Sequence, residues 1–559
     1  MSHKRKRITL VAIIGLVLVA VGLTWFQLNR STKTSATQLP LTETQIKKNL
    51  ASKKVTTRAD QQKSATATYQ KATTTRRYTL ANPYIKVNPY GTSPLTALVI
   101  FRTSQAAKVS YTVVGKSAKT SITNTVNGGY QTTHQVPIVG LYANTTNTVR
   151  LTVTLKSGEV IKKTIQLKTG ALPKYVKSAT VTVSKSDKTK MSIGNNKLTI
   201  IDRTTKEPFA IDADGNVRWY STNYSQHTIE QWTGGHIMML TKKKQSSDVY
   251  NDLIETDYLG RVYREYTFSG STSSTDGGTE TTVIHHDLIE LPNHNLLATV
   301  SDGSKYKEDT MVEISHKTGK IVKVIDLKKL LPKSMWSAFK AGSDGKIDWF
   351  HQNSIEYDKT DNSILISGRN QDMIMKIDYA TKKIKWIYSG KKKASWPKAY
   401  RKLILTPTSG TTITGGQHGL TLLADLTRNA SSENIMLYDN NTAVTNGDKS
   451  TSGKYSQAVK YHIDTTKMTI TQTWAYGKSL GKTNFTNIIG YAEEESNGNV
   501  LIDFGMKKNG QESNVIEVDK NGNQVFNATI KNASAKAYAY RAYRVAFYNN
   551  NYQFDANED

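Results

Sequence analysis

Five short segments of this 559-residue chain gather side chains suited to binding and attacking a small oxyanion. Ile284-His285-His286-Asp287-Leu288 supplies two adjacent imidazoles, and Asp348-Trp349-Phe350-His351-Gln352-Asn353-Ser354 supplies a third with an amide close behind. Ser367-Gly368-Arg369-Asn370-Gln371 brings a guanidinium, and Gly415-Gly416-Gln417-His418-Gly419 another imidazole. Asn484-Phe485-Thr486-Asn487 adds a hydroxyl between amides. Any one histidine alone reads as a surface or hydrogen-bonding residue. The chain has only 11, so their concentration in three such segments singles out the set. A guanidinium fork binds the oxygens of a tetrahedral oxyanion in pairs, and an imidazole titrates near neutrality. A His–Arg–Asn–Thr set therefore suits sulfate or phosphate. Three histidines with Asp287 and Asp348 would also suit zinc or iron, which take neutral imidazoles completed by a carboxylate. Arg369 and Asn353 in the same loops weigh against a cation. Neither a metal nor any other cofactor is expected.

The elements that must position these residues form a repeat. From about Thr180 the chain repeats an apolar strand, a turn of the Asp-x-x-Gly kind and a second strand ending in an aromatic or aliphatic residue. Six copies run over 209–219, 253–262, 311–322, 374–386, 459–474 and 515–526. Each reads as the outer hairpin of a propeller blade. Inner strands are expected at 236–240, 295–299, 363–367, 434–438 and 499–503. The histidine segments fall ahead of several of them, where loops converge on the mouth of a central channel. The pattern predicts an all-β fold with a six-bladed β-propeller catalytic domain over residues 174–559.

Ahead of it, residues 82–173 alternate in short strands with tight turns, as in 95–101, 108–114, 148–155 and 160–167, and predict a small N-terminal β-sandwich domain. Residues 28–81 are rich in Thr, Lys, Gln, Ser and Ala and read as a polar stalk without a core, with a turn or two of helix over 43–50. Residues 1–27 carry Lys4, Arg5, Lys6 and Arg7 before an uncharged, mostly apolar run from Ile8 to Phe26. At ~1.5 Å per residue that run matches a ~30 Å hydrocarbon core. It predicts a single-pass membrane-anchor helix with the remaining chain on the extracytoplasmic side, or a secreted chain if the segment is cleaved. The absence of cysteine removes disulfides, thiol nucleophiles and Cys–metal sites. A net charge of +30 is spread along the chain. Outside a membrane it fits an anionic wall or lipid surface, not nucleic acid.

The residues also resemble a known family. The stretches from Asn88 to Leu98 and from Pro137 to Ala143 look like the N-terminal sandwich of bacterial aryl-sulfate sulfotransferases. Asp348-Trp349-x-His351-x-Asn353-Ser354, Gln417-His418 and Tyr540-Arg541-Ala542 resemble marks of that family's propeller. The likeness runs in order over roughly residues 82 to 550. It implies transfer of a sulfuryl group from a phenolic sulfate ester to a phenol, without a nucleotide donor and in ping-pong order. By motif, His418 resembles the histidine that becomes sulfurylated. His286 (or its neighbour His285), His351 and Arg369 resemble the residues around the sulfuryl oxygens, with Asn353 and Thr486 as further substrate contacts. The resemblance also suggests a homodimer. Three departures stand out: 403–416 lacks the cysteine pair of known members, Asn370-Gln371 lacks a histidine often found after the arginine, and Gly419 replaces a larger residue. The Cys/Ser-x-Pro-x-Arg signature of hydrolytic arylsulfatases is absent. The rival expectation is a non-catalytic propeller that binds anionic cell-wall polymers.

Overall fold

The computed structural model describes residues 39–270, 273–274, 281–424, 431–532, 534–535, 537–549 and 552–558. The anchor expected over residues 1–27 lies outside the described residues. Among those described, no helix is long and apolar enough to cross a membrane. After the helix Thr57–Thr74, strands dominate and α-helices shrink to single turns, so the all-β expectation holds.

Six four-stranded antiparallel units follow one another along the chain. Sheet II holds Ile229–Gln231, Ile237–Thr241, Asp252–Thr256 and Val262–Thr267. Sheet III holds Ile284–Glu290, Leu296–Val300, Thr310–Ile314 and Ile321–Asp326. Sheet IV holds Gln352–Asp358, Ser363–Gly368, Met373–Asp378 and Ile384–Ser389. Sheet V holds His418–Leu422, Ser432–Asp439, Gln457–Asp464 and Thr469–Tyr476. Sheet VI holds Tyr491–Glu494, Val500–Lys507, Glu512–Val518 and Gln524–Lys531. Sheet I is assembled from distant stretches: Ala539–Ala546 pairs with Lys197–Arg203, which continues to Phe209–Ile211 and Val217–Tyr220. The six repeat hairpins are the third and fourth strands of these sheets. Their turns work as the sequence pattern predicts: Asp212, Asp257 and Asp519 each accept two backbone N–H groups from the turn that follows.

The first strands of sheets III, IV, V and VI touch in succession, and sheet VI meets sheet I through Tyr491–Glu494, Val500–Lys507 and Ala539–Ala546. Sheet I meets sheet II where Arg541 pairs with Glu230 and the Tyr543 hydroxyl donates to the Ile229 carbonyl. Sheets II and III share an apolar interior containing Met238, Leu240, Leu288 and Leu296. The interior is made largely of β-branched and long aliphatic residues, and the second strands are buried on both faces, as expected for sheets stacked face to face.

The expected stalk is not free from Leu41 onward, which belongs to the folded body. The helix Glu43–Leu50 forms as anticipated, closed by a capping box between Thr42 and Gln45. Its Ile46 and Leu50 are buried in the interior shared by sheets II and III. Lys53–Val55 adds an antiparallel edge strand to sheet II, and the Arg58 guanidinium pairs with Asp252 and Glu265. Few apolar residues are enough here because edge pairing satisfies the backbone and two buried side chains anchor the helix. Composition alone pointed the other way.

Residues 84–168 form a six-stranded sheet around the long strand Ala97–Val113. Its register breaks between Arg102 and Ala107. The first half pairs with Tyr84–Val87 and Gln131–Ile138, the second with Ile122–Thr125 and Thr146–Leu155, the last of which also pairs Val160–Lys168. Arg218 of sheet I locks this unit in place. It is fully buried, donates to the carbonyls of Gly140 (2.8 Å) and Thr120 (2.7 Å), pairs with Asp212 at 2.9 Å and lies 3.8 Å from the Tyr142 ring centroid. Arg218→Met leaves Asp212 buried without its cation, so unfolding in urea should show a loss of about 3–5 kcal/mol. A loss below about 1 kcal/mol would mean that the junction does not depend on this pair.

Candidate functional site

Each site-bearing first strand breaks step with its neighbour where a functional side chain sits. The shift falls between Ile284 and Leu288 in sheet III, between Gln352 and Ser354 in sheet IV, between His418 and Thr421 in sheet V, and between Ala539 and Arg541 in sheet I. Such bulges re-aim side chains that a regular ladder would hold perpendicular to the sheet. His286 (φ +57°), Glu308 (+56°) and His351 (+54°) all take the left-handed backbone conformation, uncommon outside glycine and clustered at functional sites in proteins. The strands expected to be innermost are the second of each sheet. His285, His286, Asn353 and His418 lie on the first strands themselves, one strand further in than the sequence reading placed them.

His418 is held by a fixed amide. Its Nδ1 lies 2.7 Å from Oδ1 of Asn440. The Asn440 Nδ2 donates to the carbonyls of Thr486 and Ile489, both at 3.0 Å, so its oxygen must face the imidazole. An acceptor at Nδ1 requires Nδ1–H and leaves the Nε2 lone pair exposed for attack. Burial, then the positive charge of Arg369, pushes the imidazole well below its ordinary range and outweighs the Asn440 hydrogen bond, so the ring is neutral. Gly419 follows with φ +56°, and a Cβ there would stand 2.8 Å from the Tyr491 ring, so only glycine lets the strand turn this close.

His351 has the opposite character. Its Nδ1 lies 2.6 Å from Asp348 Oδ2 and 2.7 Å from Glu308 Oε2. Burial would lower this imidazole, but the two carboxylates outweigh it and lift it to about 10, so the ring is a cation. Burial would raise the Glu308 carboxyl, yet the charges and hydrogen bonds of His351 and His286 hold it well below its ordinary range. His286 uses both nitrogens within the cluster: Nδ1 meets the Tyr540 hydroxyl at 2.9 Å and Nε2 meets Glu308 at 3.3 Å. His285 is buried, with Nε2 2.9 Å from the Ser301 hydroxyl, and burial lowers it to about 4 despite Glu308 nearby. His227 stacks on Tyr540 with centroids 4.1 Å apart and lies parallel to His286 at 5.6 Å.

Arg369 opens the turn after Ser363–Gly368, and its backbone N–H donates to the His351 carbonyl at 3.1 Å. The Phe350 ring sits where a Cβ on Gly368 would be, which lets this turn pack against the His351 segment. The Arg369 Nε is buried without a partner among the described residues, a donor awaiting an anion. Asn353 donates to the Gln417 carbonyl at 2.7 Å, while its Oδ1 is likewise unmatched. Thr486 is fully buried; its hydroxyl donates to Ile489 O (3.1 Å) and meets Tyr438 (2.7 Å), so it stands behind Asn440 and supports it. The structure thus brings His286, His351 and Arg369 into electrostatic reach of His418 and sets Thr486 one layer back.

Ligand-type atoms of His286, Glu308 and His351 lie within 4.8 Å of one another, a spacing that a divalent cation can bridge. The 2.6 and 2.7 Å separations at His351 Nδ1 are those of hydrogen bonds, tighter than the roughly 3.3 Å between ligands of a tetrahedral centre with ~2.0 Å bonds. We read the cluster as hydrogen-bonded.

The loop before His418, which lacks the cysteine pair, is tied down by hydrogen bonds. Thr406–Pro407 pairs with Thr469 and Ile470, and the Thr412 carbonyl accepts from Tyr388 and Tyr461. Gly415 N–H donates to Asp439 and Gly416 N–H to Asp372, whose carboxylate also accepts the backbone N–H groups of residues 444–447.

Sequence reasoning missed Glu308, Asn440 and His227. Only His227 carries a signal, since Gln226-His227 ahead of the first strand of sheet II repeats the Gln417-His418 pair.

A neutral imidazole with a bare Nε2, with a free guanidinium donor and a protonated imidazole in electrostatic reach of it, is suited to covalent transfer of an oxyanionic group. Residues 182–541 match the arylsulfotransferase (ASST) family, and residues 84–170 match the arylsulfotransferase Ig-like domain. The chain belongs to the arylsulfotransferase family. The arylsulfate sulfotransferase AssT of Escherichia coli O6:H1 (strain CFT073) is 26% identical over 518 residues, covering 75% of this chain and 84% of that protein. Its namesake in Lelliottia amnigena is 24% identical with the same coverage. Among solved structures, the periplasmic gluconolactonase PpgL of Pseudomonas aeruginosa aligns with 79% of this chain and all of its own at 8% identity, with a TM-score of 0.35 that carries no weight for the fold.

Asn440→Leu removes the acceptor at Nδ1 and leaves two carbonyls short of a donor. It should turn the single His418 tautomer into a mixture in nitrogen NMR of histidine-labelled protein, and lower stability by about 1–3 kcal/mol. An unchanged tautomer would refute the role given to Asn440.

Proposed function

We propose that the chain is an aryl-sulfate sulfotransferase that carries the sulfuryl group on His418. The observation that bears most weight is the Asn440 hydrogen bond, which places the proton on Nδ1 and leaves the Nε2 lone pair to a ring that burial and Arg369 keep neutral. In the first half-reaction Nε2 attacks sulfur, the S–O(aryl) bond breaks with its electron pair leaving on the phenolate, and His351 protonates that oxygen. In the second, a phenol gives its proton to His351 as its oxygen attacks sulfur, and the N–S bond returns its pair to His418. Arg369 offers its buried Nε and fork to the sulfuryl oxygens, whose charge shifts in the transition state. The order is ping-pong, because His418 cannot accept a second sulfuryl group before releasing the first. His286 belongs to the supporting shell, since both of its nitrogens are occupied.

The finer architecture is part of the same reading. The six four-stranded sheets are six blades of one propeller, with Ala539–Ala546 closing the ring on sheet I. Residues 174–559 form the catalytic domain and 82–173 a sandwich domain. Residues 1–27 tether the enzyme to the membrane with its body outside, where a phenolic sulfate ester replaces nucleotide donors. The partners are that donor, a phenol acceptor and the membrane, with a second copy of the chain through homodimerisation.

With 4-nitrophenyl sulfate as donor, nitrophenolate release should rise with added phenol and fall by several orders of magnitude in His418→Ala. A sulfuryl adduct mapped to His418 should accumulate when the acceptor is omitted. Release independent of phenol, or preserved in the variant, would end this reading and leave a polymer-binding propeller. The pH profile is a separate expectation. His418 gains a proton only well below 6.5 and His351 loses one near 10. With a donor that needs protonation, kcat/KM should therefore be level from about pH 7 to 9 and fall about tenfold per unit above about 10. A decline already under way between about pH 7 and 8 would exclude His351 as the acid.

A further inference from the structure

We propose that Glu308 is a positioning residue which, with Asp348, fits His351 to phenols of ordinary acidity, and thereby sets which aryl sulfates serve as donors. The inference rests on the sulfuryl-transfer reading. One carboxylate is enough to orient an imidazole and choose its tautomer, as the serine-protease triad shows. His351 has two on the same nitrogen, at 2.6 and 2.7 Å, one from its own segment and one from between the second and third strands of sheet III. Both are secured. Asn370 Nδ2 grips the Asp348 carbonyl at 2.7 Å, and Glu308 Oε2 is shared with His286 Nε2. Glu308 itself is buried and sits in a left-handed backbone conformation, a strained placement with no packing purpose for a carboxylate. The groups facing His351 are Asp348 beside it, Glu308, His286 and His285 from sheet III, His418 from sheet V, and the turn of Arg369, whose backbone N–H binds the His351 carbonyl.

The second carboxylate makes the imidazolium a weaker acid than one alone would. The ring releases its proton near 10, close to the ~10 of a plain phenol hydroxyl. Proton exchange between His351 Nε2 and such a phenolate is then nearly balanced in both half-reactions, the condition under which general acid–base catalysis serves both directions. A nitrophenolate departs without a proton and gains little from this arrangement.

The test compares wild type, Glu308→Gln and Asp348→Asn on phenyl sulfates bearing 4-nitro, 4-chloro, no and 4-methyl substituents, with one fixed acceptor. In both variants kcat/KM should fall on the order of 10²–10³-fold for the unsubstituted and 4-methyl donors and less than about tenfold for the 4-nitro donor. The dependence on leaving-group basicity thus steepens. Equal losses across the series, or an unchanged dependence, overturn the proposal and make Glu308 a structural residue only. Circular dichroism separates both outcomes from unfolding, and Asp348→Asn, at a more exposed position, supplies the effect independently should Glu308→Gln not fold. Loss of wild-type activity on chelation, restored by a divalent cation, also overturns it in favour of a metal-ligand role. Wild type inert toward every donor instead refutes the underlying reading.

Discussion

The whole site depends on strands that abandon their ladder. In sheets I, III, IV and V the first strand loses register with the second at the point where a functional side chain stands. A regular strand would turn alternate side chains to opposite faces and bury them between sheets. The breaks, with the left-handed backbone at His286 and His351, turn those residues toward one another instead. Hydrogen bonds forfeited by the ladder are recovered locally: the Arg369 and Asn370 N–H groups donate to the carbonyls of His351 and Phe350, and Ile355 N–H donates to Asp287. The six stacked hydrophobic sheets supply the rigidity that allows this irregularity.

Two imidazoles with the same intrinsic chemistry are driven apart by their surroundings. His418 is buried with a guanidinium nearby, and these outweigh the amide that accepts at Nδ1, so it stays neutral. His351 has two carboxylates at the same nitrogen and stays charged. Separation of this kind, by neighbours and not by residue type, is how one fold runs nucleophilic and acid–base chemistry side by side. Asn440 chooses the tautomer of the first and Glu308 helps charge the second, neither offering a reacting atom itself.

The sequence made the scaffold largely readable. The six hairpins are marked by strand–turn–strand punctuation, the turn carrying Asp in all but the 311–322 copy, and all fall on third and fourth strands. The histidines and Arg369 were readable too, because rare residue types recur at equivalent places. What could not be read lies in features that one-dimensional patterns do not encode. A bulge leaves no period, so the functional strands were placed one position too far out. Asn440 and Glu308 are common residue types whose roles exist only through partners 22 residues away or more. The segment from Leu41 looked too polar to fold because edge pairing to sheet II is satisfied by backbone, which composition does not report.

Sheet I is built from two stretches more than 300 residues apart, and its innermost strand carries Tyr540 and Arg541. Tyr540 holds His286, and Arg541 Nη2 binds the carbonyl of the same residue at 3.2 Å. The histidine cluster therefore cannot be completed before this strand has been made. A growing chain that ends before Ala539 carries every histidine but lacks the strand that holds His286. His286 takes its place only when the strand Ala539–Ala546 has folded back on sheet I, so a partial chain cannot complete the cluster.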